Sequence, residues 1–231
     1  MIREHSFNSA WWGAPVGIVN DPAFFELPGA EQNALLAPYA WAEHRQDLAA
    51  AALAAIMRAG FVQADTQLPF RLGMARVAGG PSLDHLDVES AAEAPFRVGA
   101  GELAPFEHER YGMLPGITPE KLASRYARWA NEQIAQHPDW CLRIRDRSGV
   151  QGWFLSRSTD EGLNLELAML RRGATISGMY LYQKAIVAYA AKGARIGYAR
   201  FSISNTPVLN IYSRLGAQFL APMGIWIRVR G

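Results

Sequence analysis

Three polar residues in the last third of the chain are candidates for a functional site, and two of them could transfer a proton. Tyr212 carries a phenol, which can donate a proton, and Glu166 carries a carboxylate, which can accept one. Asn205, Leu209 and Tyr212 are spaced i, i+4 and i+7, so a helix would present them on one face. The same residues could instead have structural roles, with Tyr212 as a core aromatic, Glu166 as a paired strand carboxylate and Asn205 as a helix cap. The residues alone leave the functional and the structural interpretation open.

A glycine-containing turn between a strand and a helix predicts an anion-binding loop. Residues 163–170 (LNLELAML) are apolar at every second position, which predicts a strand with one buried face. Residues 171–178 (RRGATISG) form the turn. Residues 179–192 have apolar residues at helical spacing, and the predicted helix ends at Gly193. The first N–H groups of such a helix point towards the loop, where Arg171 and Arg172 add positive charge. An anion is therefore expected there.

A second strand and helix follow this unit. Residues 198–204 (YARFSIS) are rich in residues that favour strands. Thr206 and Pro207 are typical of a helix start, and the helix that follows ends at Gly216. The predicted order is therefore strand, glycine turn, helix, strand and helix, with Tyr212 on the last helix.

This order, with the runs ELAML and SISNTPVLNIYSRLGA, resembles the cofactor-binding half of the GNAT superfamily of acyl-CoA-dependent N-acetyltransferases. The resemblance implies an α/β (α+β) fold, with a mixed, mostly antiparallel sheet flanked by helices. It implies acetyl-CoA as acyl donor, Tyr212 as general acid and Glu166 as candidate general base. A bulge near Ala168 to Leu170 would turn a backbone N–H towards the developing oxyanion. The residues implied to contact the donor are Ala168, Met169, Leu170, Arg171, Arg172, Gly173, Thr175, Ile176, Ser177, Gly178, Asn205 and Tyr212.

The loop departs from the family pattern at one position. Ile176 stands where the family has its middle glycine, so the pattern is only partly met. This feature favours an alternative, a degenerate GNAT module that binds acyl-CoA or a partner protein without catalysis. Asn205 and Tyr212, which match the family, count against that alternative.

The N-terminal half suggests the acceptor. Its Trp-Gly start, Ala-rich segment, AGF strand and YARWANE helix are similar to superfamily members that acetylate the amine of a nucleotide-linked deoxyamino sugar. The resemblance implies such an acceptor, attacked directly and without a covalent enzyme intermediate. It places Arg110 and Tyr111 in the segment that closes over the acceptor. A different small amine is the alternative, because nothing in the residues names the acceptor.

The chain divides by composition into a small N-terminal αβ domain, residues 1–93, and a GNAT domain, residues 94–231. Residues 75–93 are rich in Gly, Ser and Asp and are expected to be a linker. In the first half we further predict an extended pair Trp11–Trp12, a strand at 16–19, a helix at 41–59 and a strand at 59–74. In the second half we predict a strand at 94–98, a helix from Thr118 and a hairpin turn at 146–149. A final strand, Ile225 to Val229, either completes its own sheet or adds to another subunit's sheet.

Composition excludes several function classes. The formal net charge of +2 is too small to argue for a nucleic-acid partner. Cys141 is the single cysteine, which excludes an internal disulfide, and it lies in an apolar run expected to be core. No His/Cys spacing suggests a metal site, and residues 48–57 are too short to cross a bilayer. The N-terminus lacks a signal-peptide pattern. We expect a cytoplasmic protein without a membrane partner, with a homodimer as the candidate assembly.

Overall fold

Strands and helices are interspersed along the chain. The computed structural model describes residues 1–48 and 53–230. The strands are β1 (Ile2–Glu4), β2 (Val16–Val19), β3 (Trp41–Asp47), β4 (Val62–Gly73), β5 (Asp87–Ser90), β6 (Cys141–Asp146), β7 (Gly149–Thr159), β8 (Gly162–Leu170), β9 (Ile196–Ser202), β10 (Gln218–Phe219) and β11 (Met223–Val229). The helices are α1 (Ser6–Trp12), α2 (Gly29–Leu36), α3 (Leu53–Arg58), α4 (Pro119–Gln136), α5 (Gly178–Ala191) and α6 (Thr206–Arg214).

Contacts between Cα atoms divide the chain into two units. The first contains Met1–Leu68, Arg110–Gly116 and Ala221–Gly231, and the second contains Pro69–Glu109 and Ile117–Leu220. The first stretch of the first unit therefore ends within β4. The end of the chain joins the first unit because β11 pairs with both β3 and β4. Of the two alternatives predicted for the last strand, this pairing supports the one in which it completes its own sheet, since both of its edges are occupied.

The first unit has strands in the order β1-β2-β3-β11-β4. The pair β2 and β3 is parallel, and the other neighbours are antiparallel. Its core joins Phe24, Phe25 and Phe61 to Ile56 of α3 and Trp226 of β11. The aromatic rings in this core pack edge to face, an arrangement that aromatic pairs prefer.

The second unit has strands in the order β4-β9-β8-β7-β6-β5, with β10 beside β4. The neighbours from β5 to β8 are antiparallel, and β8 and β9 are parallel. Phe154 lies in a cluster with buried residues of α5, called here the α5 cluster. Its neighbours Trp153 and Leu155 lie in a second cluster with residues of α4, called the α4 cluster. Because successive strand residues face opposite ways, helices cover both faces of this mixed sheet. The predicted fold class is confirmed.

Several predicted elements of the second unit are confirmed. Thr118 caps α4, accepting a hydrogen bond from the Lys121 N–H at 3.2 Å, as its helix-start pattern predicts. The hairpin turn lies between Asp146 and Gly149, which pair across β6 and β7. Cys141 lies in the α4 cluster, where burial raises the pKa of its thiol to about 12.

The predicted helix at residues 41–59 is wrong over its first half. Trp41–Asp47 forms β3, and a helix covers Leu53–Arg58, while residues 49–52 lie outside the described residues. Strand β3 pairs with β2 on one side and β11 on the other. Pairing on two sides outweighs the helix propensity of the Ala-rich sequence that follows.

Three other predictions for the N-terminal half are corrected. The expected linker at 75–93 contains buried Leu83 and Leu86 and the strand β5, so it is part of the second unit's core. The expected strand at 94–98 is irregular, and the side chain of Asn131 bonds both backbone polar groups of Val98. The adjacent tryptophans end helix α1 and are not extended.

Candidate functional site

Strands β8 and β9 separate after a short stretch of pairing. They pair at Leu163 with Gly197 and at Asn164 with Tyr198. Beyond these pairs β8 continues to Leu170 and β9 to Ser202, and the structure describes no further pairing between them. The backbone edge of β8 before Leu170 is therefore available to a ligand, whereas the Leu170 carbonyl accepts a hydrogen bond from the Ala104 N–H at 3.2 Å.

Two glycines allow the close approach at the closed end of the gap. A side chain at Gly162, whose φ is +146°, would meet the carbonyl oxygen of Ile196 at 2.5 Å. A side chain at Gly197 would meet Cε of Met74 at 2.5 Å and Cδ1 of Leu165 at 3.1 Å. At Gly162 the clash would be with backbone, so the strands can approach there only because this position lacks a Cβ. At Gly197 the clash would be with side-chain atoms, which can move.

A β-bulge re-aims the side chains of β8. Leu155 pairs with Leu167 whereas Ser156 pairs with Leu165, so Glu166 is an extra residue in β8. Leu165 packs in the α5 cluster, but Leu167 packs in the α4 cluster. The predicted bulge exists, but it lies at Glu166 and not at residues 168–170.

The loop after β8 is fixed by an internal amide. Gln151 is 3 % exposed, and its Oε1 accepts hydrogen bonds from the Thr175 N–H at 2.8 Å and the Thr175 hydroxyl at 3.3 Å. Its Nε2 donates to Asp146 Oδ1 at 3.0 Å and to Ser148 Oγ at 2.9 Å. A buried amide with every bond made rigidifies its surroundings. Motif reasoning missed Gln151, although a Gln within the apolar run VQGWFL was a signal for it.

The start of α5 carries unused backbone donors. Within the described part of the chain, the N–H groups of Ile176, Ser177, Gly178 and Met179 have no acceptor. Ser177 caps the helix in extended conformation without a side-chain cap bond. Unused N–H groups at a helix N-terminus attract anions. This arrangement agrees with the anion expected at residues 171–178.

The remaining loop residues are mostly exposed. Arg171 and Arg172 are exposed, and Arg171 Nε lies 4.0 Å from a carboxylate oxygen of Glu102. Gly173 has a φ of +75°, which favours glycine at that turn. Ile176 is half-buried and packs against the α5 cluster, where a glycine would leave a gap.

Asn205 lies at the start of α6 and Tyr212 lies within it, as predicted. Asn205 is half-buried and Tyr212 is buried. Asn205 caps the helix, its Oδ1 accepting a hydrogen bond from the Val208 N–H at 3.2 Å. Tyr212 is 4 % exposed, with its ring centroid 4.0 Å from that of Phe70, 5.2 Å from that of Tyr182 and 5.8 Å from that of Phe201. Burial raises the pKa of the Tyr212 phenol well above its usual range.

Glu166 is held in an ion pair. Its Oε1 accepts hydrogen bonds from Arg157 Nε at 2.7 Å and from Asn164 Nδ2 at 3.1 Å. Both bonds end on the same oxygen, so Oε2 is the atom with capacity to accept a proton.

Arg110 and Tyr111 belong to the first unit, where they surround a buried carboxylate. The Tyr111 hydroxyl donates to Glu43 Oε2 at 3.1 Å and accepts from Asn8 Nδ2 at 3.1 Å. Tyr111 is 0 % exposed, so it has no surface for the acceptor contact expected of it. Sequence patterns gave no sign of Glu43, because a carboxylate in a strand normally faces solvent.

Burial and two arginines act in opposite directions on Glu43. Burial alone would raise its pKa, but the guanidinium groups of Arg110 and Arg45 lower it to about 2. Arg45 Nε lies 2.7 Å from one carboxylate oxygen, and Arg110 Nε lies 3.3 Å from the other. The carboxylate is therefore charged and fully paired in the folded first unit.

Comparison with solved structures identifies the architecture. A GCN5-related N-acetyltransferase (GNAT) from Kribbella flavida matches with a TM-score of 0.54 at 13% identity, covering 94% of this chain and 82% of that one. The chain has the GNAT fold. A tandem GNAT protein from the clavulanic acid biosynthesis pathway, without AcCoA, matches with a TM-score of 0.55 at 11% identity, covering 95% of this chain and 76% of that one.

A third match is longer than this chain. The GCN5-related N-acetyltransferase from Sphaerobacter thermophilus gives a TM-score of 0.54 at 14% identity over 82% of this chain, which spans 59% of that protein's length. Searches against protein-family models and against curated proteins found no match. Of the helices in the described residues, none has the length and apolar character needed to cross a membrane.

Proposed function

We propose that this chain is an N-acyltransferase that takes an acetyl group from acetyl-CoA and transfers it to the amine of a small molecule. The observation that carries the proposal is the gap between β8 and β9, which opens beside the unused N–H groups at the start of α5. A fold shared with N-acetyltransferases, one of them described in a form without AcCoA, supports this donor. Fold alone does not establish an activity, so the site's chemistry has to support it.

The residues around the gap fit an acyl-CoA donor. The N–H groups of residues 176–179 suit its pyrophosphate, and the exposed Arg171 and Arg172 add charge beside them. Ala168 and Met169 lie on the stretch of β8 along which the pantetheine arm would lie, whereas the Leu170 carbonyl already accepts a hydrogen bond from the Ala104 N–H at 3.2 Å. The bound thioester supplies an activated acyl group for direct attack by the acceptor nitrogen.

Tyr212 is proposed as the proton donor to the departing sulfur. Because burial raises its pKa, the phenol stays protonated at and above neutral pH. A thiol has a pKa of about 8.5, so a phenol of pKa about 10 or more donates only if proton transfer is coupled to departure of the sulfur. Positioning of the amine would supply the larger share of the barrier reduction, which reaches about 7 to 11 kcal/mol in the best cases.

Glu166 is proposed as the general base, directly or through water. Arg157 and Asn164 hold Oε1, which orients Oε2 as the proton acceptor. The bulge at Glu166 gives this side chain a direction that regular strand pairing would not.

The acceptor and its setting complete the proposal. The similarity of the N-terminal half to TDP-fucosamine acetyltransferases favours a nucleotide-linked amino sugar as acceptor. Further expectations are a cytoplasmic location, a separate N-terminal αβ domain and a homodimer. A different small amine is the alternative acceptor.

One observation favours a second candidate function. Tyr212 is 4 % exposed with aromatic rings around it, and Ile176 replaces a glycine of the family loop. A degenerate module that binds acyl-CoA without transferring its acyl group would have these features.

Thiol release tests the proposal. The full chain is incubated with acetyl-CoA and, separately, with nucleotide-linked amino sugars, polyamines, aminoglycosides and amino acids. Amine-dependent release of CoA with at least one class supports a transferase. Binding of acetyl-CoA without release under any amine supports the degenerate module, and the absence of both contradicts the two functions together.

A further inference from the structure

A recess in the first unit lies outside the proposed acyl-transfer site. Its volume is about 300 Å³, and its walls include Tyr39, Trp41, Asn33, Arg228 and Arg230. A bound water occupies about 30 Å³, so the recess is far larger than a phosphate ion requires. Its volume lies at the lower end of the range for small-molecule sites.

The charge in this recess has one sign. The residues that line it contribute two guanidinium groups and no carboxylate. Arg228 is held in place, because it donates to the Ala59 carbonyl at 2.9 Å and to Asn33 Oδ1 at 2.6 Å. Arg230 is exposed, and its side chain has no partner within the described residues. Arg228 is therefore an oriented cation, whereas the side chain of Arg230 can move to pair with an anion.

Arg228 is also packed against the backbone. Gly60 has a φ of +79°, and a Cβ there would lie 3.4 Å from Arg228 Nε. The guanidinium therefore lies within van der Waals distance of a turn where the positive φ favours glycine.

The recess also has aromatic walls. Tyr39 is half-buried and has surface to offer a ligand, whereas Trp41 is 1 % exposed and lies behind the wall of the recess. The indole Nε1 of Trp41 is buried and has no acceptor within the described residues, although a buried indole normally has one. Flat rings beside guanidinium groups bind ligands that combine a planar ring with negative charge.

We propose that this recess binds an anion that carries a planar ring, such as a nucleoside monophosphate or an aromatic carboxylate. The ring lies against the half-buried Tyr39, and the anionic group pairs with Arg228 and Arg230. The proposal does not depend on acyl transfer, because it rests on residues of the first unit alone.

Calorimetric titration of the full chain tests the proposal with five probes. They are uridine 5′-monophosphate, adenosine 5′-monophosphate, 4-hydroxybenzoate, uridine and inorganic phosphate. At least one of the three ring-bearing anions should bind at least about tenfold more tightly than both uridine and phosphate, since ring and charge are both recognised. Whichever of them binds identifies the source of the anion. Equal binding of uridine or phosphate, or no saturable binding below about 5 mM, overturns the proposal.

Two variants locate the binding. Arg230→Ala should weaken it about tenfold through loss of a charge-assisted hydrogen bond, and Ala37→Leu should weaken it by filling the exposed rim without changing charge. Arg3→Ala removes an exposed charge elsewhere in the first unit and should change nothing. Arg172→Ala reports on the loop proposed for acyl-CoA. If Arg172→Ala abolishes binding and Arg230→Ala retains it, the ligand binds at that loop and the proposed recess site is wrong. This conclusion holds whatever the outcome for acyl transfer.

Discussion

Gln151 Oε1 lies 2.8 Å from the backbone nitrogen of Thr175, so a side chain buried in β7 holds the loop that precedes α5. The same amide donates to Asp146 and Ser148 at the tip of the β6–β7 hairpin. The hairpin and the loop are therefore tied through one residue. The proposed anion site depends on a side chain that need not contact the anion itself.

Loss of this tie should weaken donor binding more than turnover. Gln151→Leu leaves the Thr175 N–H without its acceptor, and KM for acetyl-CoA should rise about tenfold, while kcat falls less. Steady-state kinetics with varied acetyl-CoA measure both constants. Gln63→Leu, which removes an exposed amide in the first unit, is the control and should match wild type. A change in kcat without a change in KM would contradict this role.

The phenol of Tyr212 can be separated from its ring. Tyr212→Phe keeps the aromatic packing with Phe70 and Phe201 but removes the proton donor, so kcat should fall about 10²-fold or more with the fold intact. Tyr182→Phe is a matched control, because Tyr182 is also buried and lies 5.2 Å from Tyr212 between ring centroids. Equal kcat values for the two variants would remove Tyr212 from the mechanism.

The paired carboxylate of Glu43 predicts acid sensitivity. Its pKa falls from 4.5 to about 2 in the folded protein, so its pairing stabilises the fold above pH 4.5 and this contribution is lost as pH falls from 4.5 towards 2. The shift corresponds to on the order of 3 kcal/mol in the free energy of unfolding. Urea unfolding at pH 7, 4.5 and 3 measures this loss.

Glu43→Gln should lower stability at pH 7 and show a smaller further loss at pH 3 than wild type. The control Glu132→Gln removes a carboxylate whose ion pair is exposed, and its pH dependence should follow that of wild type. Parallel curves for wild type and Glu43→Gln would show that the carboxylate does not stabilise the fold through its charge.

Gly152 permits close packing between β7, β8 and α5. A Cβ at this position would clash with the Met169 carbonyl oxygen and would lie 2.7 Å from Leu181 Cδ1. Gly152→Ala should therefore reduce the free energy of unfolding by about 1 to 3 kcal/mol. Gly101→Ala adds a Cβ into open space and should cost less than that. Urea midpoints for both variants decide the comparison.

Sequence patterns predicted the elements that carry a local signal. In β8, apolar residues at every second position are buried along the whole strand, as the alternation predicts. Thr118 and Asn205 cap α4 and α6 because short polar side chains at helix starts accept backbone N–H bonds. Such local signals need no knowledge of distant contacts.

The same patterns could not reveal long-range pairing. Trp41–Asp47 lies between two other strands, one of them from the last residues of the chain, so its state depends on contacts about 180 residues away in sequence. The bulge at Glu166 keeps the alternation of burial while changing which cluster each side chain enters, so the sequence shows no sign of its position. The bonds of Gln151 likewise depend on where the hairpin and loop meet.

The backbone at the start of α5 allows a direct test of donor binding. Ser177 is extended, with φ −75° and ψ 153°, which proline prefers in the residue before it, and Gly178 is the first residue of the helix, where proline is tolerated. Gly178→Pro therefore removes one N–H group from the proposed anion site and keeps the helix. Gly178→Ala adds a Cβ but keeps that N–H.

Isothermal titration of acetyl-CoA into wild type and these two variants tests the central claim. We predict saturable binding to wild type, binding to Gly178→Ala within about threefold of it, and binding to Gly178→Pro weaker by about tenfold or more. No binding to wild type, or equal binding to the alanine and proline variants, would contradict the claim that the start of α5 holds the acyl donor.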